Sequence, residues 1–139
     1  MTLYLTPQQV LFIHHRLMRE TGGDIGLRDL NSLKTVLTRP GQLEKEKELY
    51  PGLYKKSAVL LDGLVKEHPF LEGNKRTAIA AVDLFLRING QRLAADEMEM
   101  VRFVRKCAGS PVSLEFITAW VWQYARPLRP VNIASPSTV

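Results

Sequence analysis

Apolar and polar residues follow one another along most of this chain with the period of an α-helix. Apolar side chains recur at three- and four-residue intervals, which places them on one helix face. The pattern predicts helices over residues 7–21, about 28–38, 53–67, 75–88 and about 96–108, with a last helix opened by Ser113. Apart from a short extended piece at 91–93, there is no convincing run of strands. The predicted fold class is all-α.

Residues typical of helix ends support this assignment. Thr6 and Gln9 form a Thr-x-x-Gln capping box, and Pro7 suits the first helical position. Gly22-Gly23 is expected to end the first helix. His68-Pro69 is expected to end the third, because a residue before proline avoids the α region.

The helix at 75–88 is predicted to lie at the centre of the domain. It is apolar on nearly all sides, which is typical of a buried helix. We therefore predict a compact helical bundle around it, with residues 1–131 as a single domain. Residues 132–139 are predicted to be a mobile tail.

The segment between Pro40 and Pro51 is polar, and its charges alternate as EKEKE at 44–48. This composition indicates a solvated loop. Residues 43–49 could also form a brief helix, and the pattern allows both structures.

Composition restricts the class of protein. The chain has 139 residues, enough for one domain with a proper core. Its one cysteine, Cys107, excludes an internal disulfide and fits a reducing cytosol. No apolar run approaches the roughly 20 residues of a membrane span. The net charge of +5 suits phosphate-bearing partners, but the cations form no stripe. We expect a cytoplasmic domain that binds neither membranes nor nucleic acid directly.

The stretch HPFLEGNKRTAIAA at 68–81 carries the candidate chemistry. Gly73, Asn74, Lys75 and Arg76 lie where the central helix is predicted to begin. A helix N-terminus offers unpaired N–H groups and the positive end of the helix dipole, which together form an anion site. Cations are unfavourable at that end unless an anion compensates them. These four residues are therefore predicted to bind nucleotide phosphates.

Glu72 and His68 extend this prediction to a reaction. A carboxylate is out of character at a bare anion site, so Glu72 indicates a Mg²⁺ ion carried by the phosphates. Imidazole titrates near neutral pH, which makes His68 a candidate general base. The residues alone predict phosphoryl or nucleotidyl transfer onto a hydroxyl. His14 and His15 are interpreted as structural, His14 as a half-buried helix residue.

Other distinctive side chains have simpler interpretations. Phe70 is expected in the core, and Cys107 is expected to be an inert core thiol. Trp120 and Trp122 belong to the same predicted helix and cannot both face inward.

His-Pro-Phe-Leu-Glu-Gly-Asn-Lys-Arg-Thr-Ala, residues 68–78, resembles the signature of the Fic/Doc superfamily, an all-α fold. The Fic branch reads His-x-Phe-x-Asp/Glu-Gly-Asn-Gly-Arg-x-x-Arg. This chain departs from that pattern at Lys75 and Ile79. Asn-Lys-Arg-Thr-Ala is the version of the death-on-curing (Doc) toxins, which the chain most resembles.

The resemblance implies a role for each matching residue. His68 would be the base acting on a target hydroxyl, and Glu72 would hold Mg²⁺. The residues implied to contact the phosphates of ATP are Gly73, Asn74, Lys75 and Arg76. Doc toxins are similar to small kinases that phosphorylate a threonine of elongation factor Tu and so halt translation. The resemblance also implies a Phd-like antitoxin as partner, and loop 41–52 as a target-docking flap.

Two alternatives remain open at this point. One is an AMP transferase of the Fic type, against which Lys75 and Ile79 argue. The other is a non-catalytic nucleotide- or protein-binding module, against which the intact His68 and Glu72 argue.

The chain lacks the inhibitory helix that many Fic-like proteins carry, marked Ser/Thr-x-x-x-Glu-Gly/Asn. Glu followed by Gly or Asn occurs only at Glu72-Gly73, and position 68 is neither Ser nor Thr. Inhibition in trans, by a partner helix in an apolar groove, is therefore predicted.

Overall fold

The computed structural model describes residues 1–128, which form six α-helices and a few short strands. The helices are α1 (Pro7–Thr21), α2 (Leu30–Thr38), α3 (Leu53–Glu67), α4 (Asn74–Ile88), α5 (Glu97–Gly109) and α6 (Leu114–Tyr124). The all-α prediction is confirmed, and the helix ends lie within about two residues of expectation. The tail predicted at 132–139 and the domain end at 131 fall outside the described residues.

Side chains cap four of these helices at their N-termini. Each cap accepts a hydrogen bond from the backbone N–H three residues further on; the caps are Thr6, Asp29, Asp96 and Ser113. The predicted capping box of α1 is complete, because Gln9 Oε1 also accepts from Thr6 N at 2.8 Å. α3 and α4 begin behind Gly52 and Gly73, without a side-chain cap.

α3 and α4 lie together at the centre of the molecule. α4 buries Ala78, Ala81, Val82, Phe85 and Leu86, as expected for the central helix. α3 packs against both α4 and α6 and is buried along most of its length. The centre of the bundle is therefore a helix pair, where the sequence pattern indicated a single helix.

The polar segment at 41–52 contains a hairpin, so the brief helix considered for 43–49 is not formed. β1 (Leu43–Glu44) pairs antiparallel with β2 (Lys47–Glu48). Lys45 and Glu46 between them have φ of 53° and 67°, the positive values of a two-residue hairpin turn. A second pair joins β3 (Gln91–Leu93) to β4 (Ala125–Pro127) and ties the end of α4 to the end of α6.

A buried lysine of α3 holds this hairpin segment. Lys56 is 1% exposed, and its Nζ donates to Pro40 O at 3.2 Å and to Tyr50 O at 2.7 Å. It also forms an ion pair with Glu48. Because the two carbonyls lie on either side of the hairpin, one ammonium group ties both ends of the segment to the core. Glu48 is thus an ion-pair partner as well as a solvated charge.

The remaining core predictions are confirmed. Phe70 is buried, and Trp120 is buried against Phe103 while Trp122 is 69% exposed. Cys107 is fully buried, and burial raises the pKa of its thiol to about 11. A thiol that is protonated at neutral pH is a poor nucleophile, so Cys107 is an inert core residue.

Candidate active site

Asn74 shapes the loop that connects α3 to α4. Its Oδ1 accepts from Phe70 N at 3.0 Å, and its Nδ2 donates to Phe70 O at 2.9 Å. Both ends of the side-chain amide are therefore used inside the loop. The backbone N–H of Asn74 has no acceptor within α4 and is left for a ligand.

His14 supports the same loop from α1. Its ring stacks on Phe70, with centroids 3.8 Å apart and planes 9° from parallel, and its Nε2 donates to Glu72 O at 2.8 Å. Burial lowers the pKa of His14 below 6.5, which the bond to Glu72 partly opposes. His14 is 1% exposed, so the expectation of a half-buried residue is wrong. Its spacing on the buried face of α1, four residues from Val10 and from Met18, indicated burial but not this contact.

Gly73 is required by the geometry of the loop. Its φ is +79°, in the left-handed region, and a Cβ built at this position would lie 2.3 Å from Met18 Cε. No larger residue fits without moving Met18 and straining the backbone. The glycine therefore brings the start of α4 close to the end of α1.

The N-terminus of α4 carries unpaired donors and positive charge. Its first backbone hydrogen bond runs from Thr77 N to Gly73 O at 2.9 Å, so the N–H groups of residues 74–76 have no acceptor within the helix. No side chain caps this end, and its first turn contains no acidic residue. The exposed side chains of Lys75 and Arg76 extend from the same turn.

A cleft of about 400 Å³ opens in front of this helix end. Its walls come from the end of α1 and the start of α4, and it is lined by Met18, Thr21, Gly22, Gly23, Glu72, Gly73, Asn74, Lys75 and Arg76. Arg76 Nη1 donates to Thr21 Oγ1 at 3.1 Å, which directs its guanidinium along the cleft wall. The structure thus brings together all the residues predicted to bind phosphate and Mg²⁺.

His68 lies at the other end of the loop and is not part of that lining. It ends α3 in the left-handed conformation, with φ 49° and ψ 58°, and is exposed. Within residues 1–128 its ring makes no hydrogen bond. The imidazole is therefore accessible to a partner from solution.

Glu72 contributes the carboxylate of the cleft. Its Oε1 accepts from Asp24 N at 3.4 Å, a weak contact that leaves the group available. In the described part of the chain no three His, Cys, Asp or Glu side chains cluster, as they would in a metal site formed by protein ligands alone. Mg²⁺ is ordinarily held by one or two carboxylates together with substrate phosphates and water. A single glutamate beside an anion site fits that mode of binding.

No helix within residues 1–128 combines the length and the apolar character needed to cross a lipid bilayer.

Comparison with known proteins agrees with the residues gathered at this site. The model of a family described as the Fic/DOC family matches residues 4–86, which include the whole loop, all of α3 and most of α4. This chain belongs to the Fic/DOC family. The resemblance inferred from residues 68–78 is confirmed.

Two relatives in this family are Doc proteins. The chain is 44% identical over 75 residues to "Toxin Doc" of Mycolicibacterium smegmatis, covering 54% of this chain and 58% of that protein. It is 30% identical over 87 residues to "Protein kinase doc" of Escherichia phage P1, covering 63% of this chain and 68% of that protein. The first alignment thus spans less than two thirds of the mycobacterial relative.

Proposed function

We propose that this chain is a Doc-type toxin that transfers the γ-phosphoryl group of ATP to a hydroxyl of a protein. The main support is the N-terminus of α4, which has neither cap nor acidic residue and points Lys75 and Arg76 into a cleft. Such an end favours the binding of an anion such as a nucleotide phosphate. The names of the two relatives, a toxin and a protein kinase, support the same function.

In this proposal each group of the cleft, and His68 at the other end of the loop, has one task. The backbone N–H groups of residues 74–76 and the side chains of Lys75 and Arg76 bind the phosphates. Glu72 holds Mg²⁺, which neutralises charge on the phosphate oxygens when bound. His68 accepts the proton of the target hydroxyl as that oxygen attacks the γ-phosphorus, the bond from this phosphorus to the bridging oxygen breaks, and ADP leaves. The loop shaped by Gly73 and Asn74 keeps these groups in fixed positions.

His68→Ala tests whether the site is catalytic. Loss of a general base is expected to lower the transfer rate by about 10²–10⁴-fold while ATP binding is retained. The matched control is His15→Ala, because His15 is also exposed but lies on α1 outside the loop. If His68→Ala transfers label as fast as the parent, His68 is not the base. If the parent itself binds ATP but transfers no label, the site is a binding module and the enzyme proposal fails.

The choice of the γ-phosphoryl group depends on Lys75 and Ile79. Ile79 supplies no second cation where the Fic branch has an arginine, and Lys75 occupies space that a glycine would leave open. Phosphoryl transfer depends on how the triphosphate is positioned. A different arrangement of the cations that bind it therefore changes which phosphorus atom faces His68. The proposed target, by resemblance, is a threonine of elongation factor Tu in the cytoplasm.

Paired labelling decides between kinase and AMP transferase. Purified elongation factor Tu is incubated with the chain and ATP labelled at either the α or the γ position. We expect label on protein from γ-labelled ATP only, and a mass gain of one phosphoryl group. Label from α-labelled ATP would instead identify an AMP transferase.

A groove beside the cleft is the proposed site for inhibition in trans. It lies between α1, α4 and α5, has a volume of about 520 Å³ and shares Thr21, Lys75 and Arg76 with the phosphate cleft. Its apolar floor is formed by Leu17, Ile79, Met100, Val101 and Val104. An amphipathic helix of an antitoxin would cover this floor and place an acidic side chain on Arg76.

Expression of the chain alone is therefore expected to slow growth, and His68→Ala is expected to abolish that effect.

A further inference from the structure

Arg28 is linked to His68 through its side chain. It precedes α2 and lies 40 positions from His68 in the sequence. Its Nε donates to His68 O at 2.5 Å, and its Nη2 donates to Glu67 O. One planar guanidinium therefore holds the last two carbonyl groups at the end of α3.

The end of α3 needs such a donor because the following residues cannot supply one. A helix that ends in the left-handed conformation is ordinarily closed by backbone N–H groups just beyond it, which bond back to the last turn. Pro69 has no N–H, and the N–H of Phe70 donates to Asn74. His68 moreover has a positive φ of 49°, which is unfavourable for a residue with a Cβ. The side chain of Arg28 supplies donors at this end, to the later carbonyls of Glu67 and His68 and not to those of the last turn, and so ties the end of α3 to the segment before α2.

We propose that Arg28 is a positioning residue that fixes the direction of the His68 imidazole. The inference rests on the proposed function, in which His68 is the base. Because the ring makes no hydrogen bond within residues 1–128, its position depends on the backbone at position 68 and on its own side-chain torsions, and Arg28 holds that backbone. A base must lie within hydrogen-bond reach of the proton it removes, so a small rotation here changes the rate.

The backbone around Arg28 is secured by other contacts. Arg28 N donates to Pro69 O at 2.8 Å, and Leu71 N donates to Gly26 O at 3.1 Å. Leu27 and Phe70 form a β-bridge between them. None of these contacts uses the Arg28 side chain. A substitution of Arg28 therefore removes the two guanidinium hydrogen bonds and keeps the backbone hydrogen bonds that join this segment to the loop.

The first test is kinetic and uses the full chain. Arg28→Met keeps the aliphatic stem and removes both donors, and it is expected to lower kcat by about 10–100-fold with KM for ATP unchanged. Arg28→Lys retains a positively charged donor but lacks the planar guanidinium group. It is therefore expected to recover part of the lost kcat. Arg39→Met is the matched control, because Arg39 lies with Arg28 and Glu67 in a surface cleft separate from the phosphate cleft, and its side chain makes no hydrogen bond within residues 1–128.

The second test does not depend on activity. The chain has three histidines, so their imidazole ¹H–¹³C NMR signals can be assigned with single-histidine variants. In Arg28→Met the His68 signals are expected to shift or broaden, while those of His14 and His15 stay as in the parent. If Arg28→Met does not fold, Arg28→Lys gives the same comparison.

Three outcomes bear on the proposal. Unchanged His68 signals in Arg28→Met overturn it, whatever the rate. A fall in kcat accompanied by loss of the His14 signals also overturns it, since the whole loop has then opened. If the His68 signals move as expected but His68→Ala keeps the parent's activity, the link between Arg28 and His68 is supported, and the role of His68 as base is the part that fails.

Discussion

α4 and α5 begin in opposite ways. α5 starts behind Asp96, whose side chain accepts from Glu99 N, and its first turn carries Glu97 and Glu99. The Asp96 carboxylate accepts one of the free N–H donors, and all three carboxylates complement the positive end of the helix dipole. α4 starts behind a glycine, and its first turn carries Lys75 and Arg76.

The difference separates a structural helix start from a binding one. At α5 the chain itself supplies the negative charge, so the helix end is complete. At α4 no side chain caps the free donors and the first turn carries two cations, so in the function proposed above an anion completes this helix end. Substitutions at the two ends should therefore have opposite effects on stability and on ATP binding.

The largest effect is expected from Gly73→Ala. A left-handed residue with a Cβ costs about 1–2 kcal/mol, and the collision with Met18 adds to that cost. Both the free energy of unfolding and the affinity for ATP should fall, as measured by denaturant titration and calorimetry. Gly90→Ala is the control, because Gly90 has a φ of +87° and nothing within 4 Å of its added Cβ. Equal losses in the two variants would show that Met18 and the cleft do not matter.

The next effect is expected from Arg76→Gln. Hydrogen bonds to charged groups contribute about 1.5–3 kcal/mol, so the affinity for ATP should fall by about 10–100-fold. Stability should stay the same or rise, because a cation is removed from the positive end of α4. Arg102→Gln, at an exposed arginine of α5 outside the cleft, should leave ATP binding intact. A loss of stability without a loss of affinity would contradict the assignment of α4 as a binding end.

The smallest effect is expected from Asp96→Ala. Loss of an N-cap costs about 1 kcal/mol in the free energy of unfolding. The affinity for ATP should be unchanged, since α5 provides no residue to the phosphate cleft. If Asp96→Ala weakens ATP binding as much as Arg76→Gln does, the distinction between the two helix ends is lost.

The sequence by itself determined the local features of this protein. The capping box of Thr6 and Gln9, the helix faces and the break at Pro69 depend on residues a few positions apart, and the structure agrees with them. Unlike the cleft wall formed by Met18 to Gly23, the candidate phosphate-binding turn was predictable for the same reason, because Glu72 to Arg76 are contiguous in the chain. A helix N-terminus then brings their backbone N–H groups and side chains together without further folding.

Only the tertiary structure decided which distant groups complete these features. His14 meets Glu72 across 58 positions and Arg28 meets His68 across 40, and no local periodicity encodes such pairings. The hairpin at 43–48 likewise forms where Lys56, from the next helix, pairs with Glu48 and binds the carbonyls on either side. Local pattern indicates which side chains are buried or charged, but packing of the whole chain selects their partners.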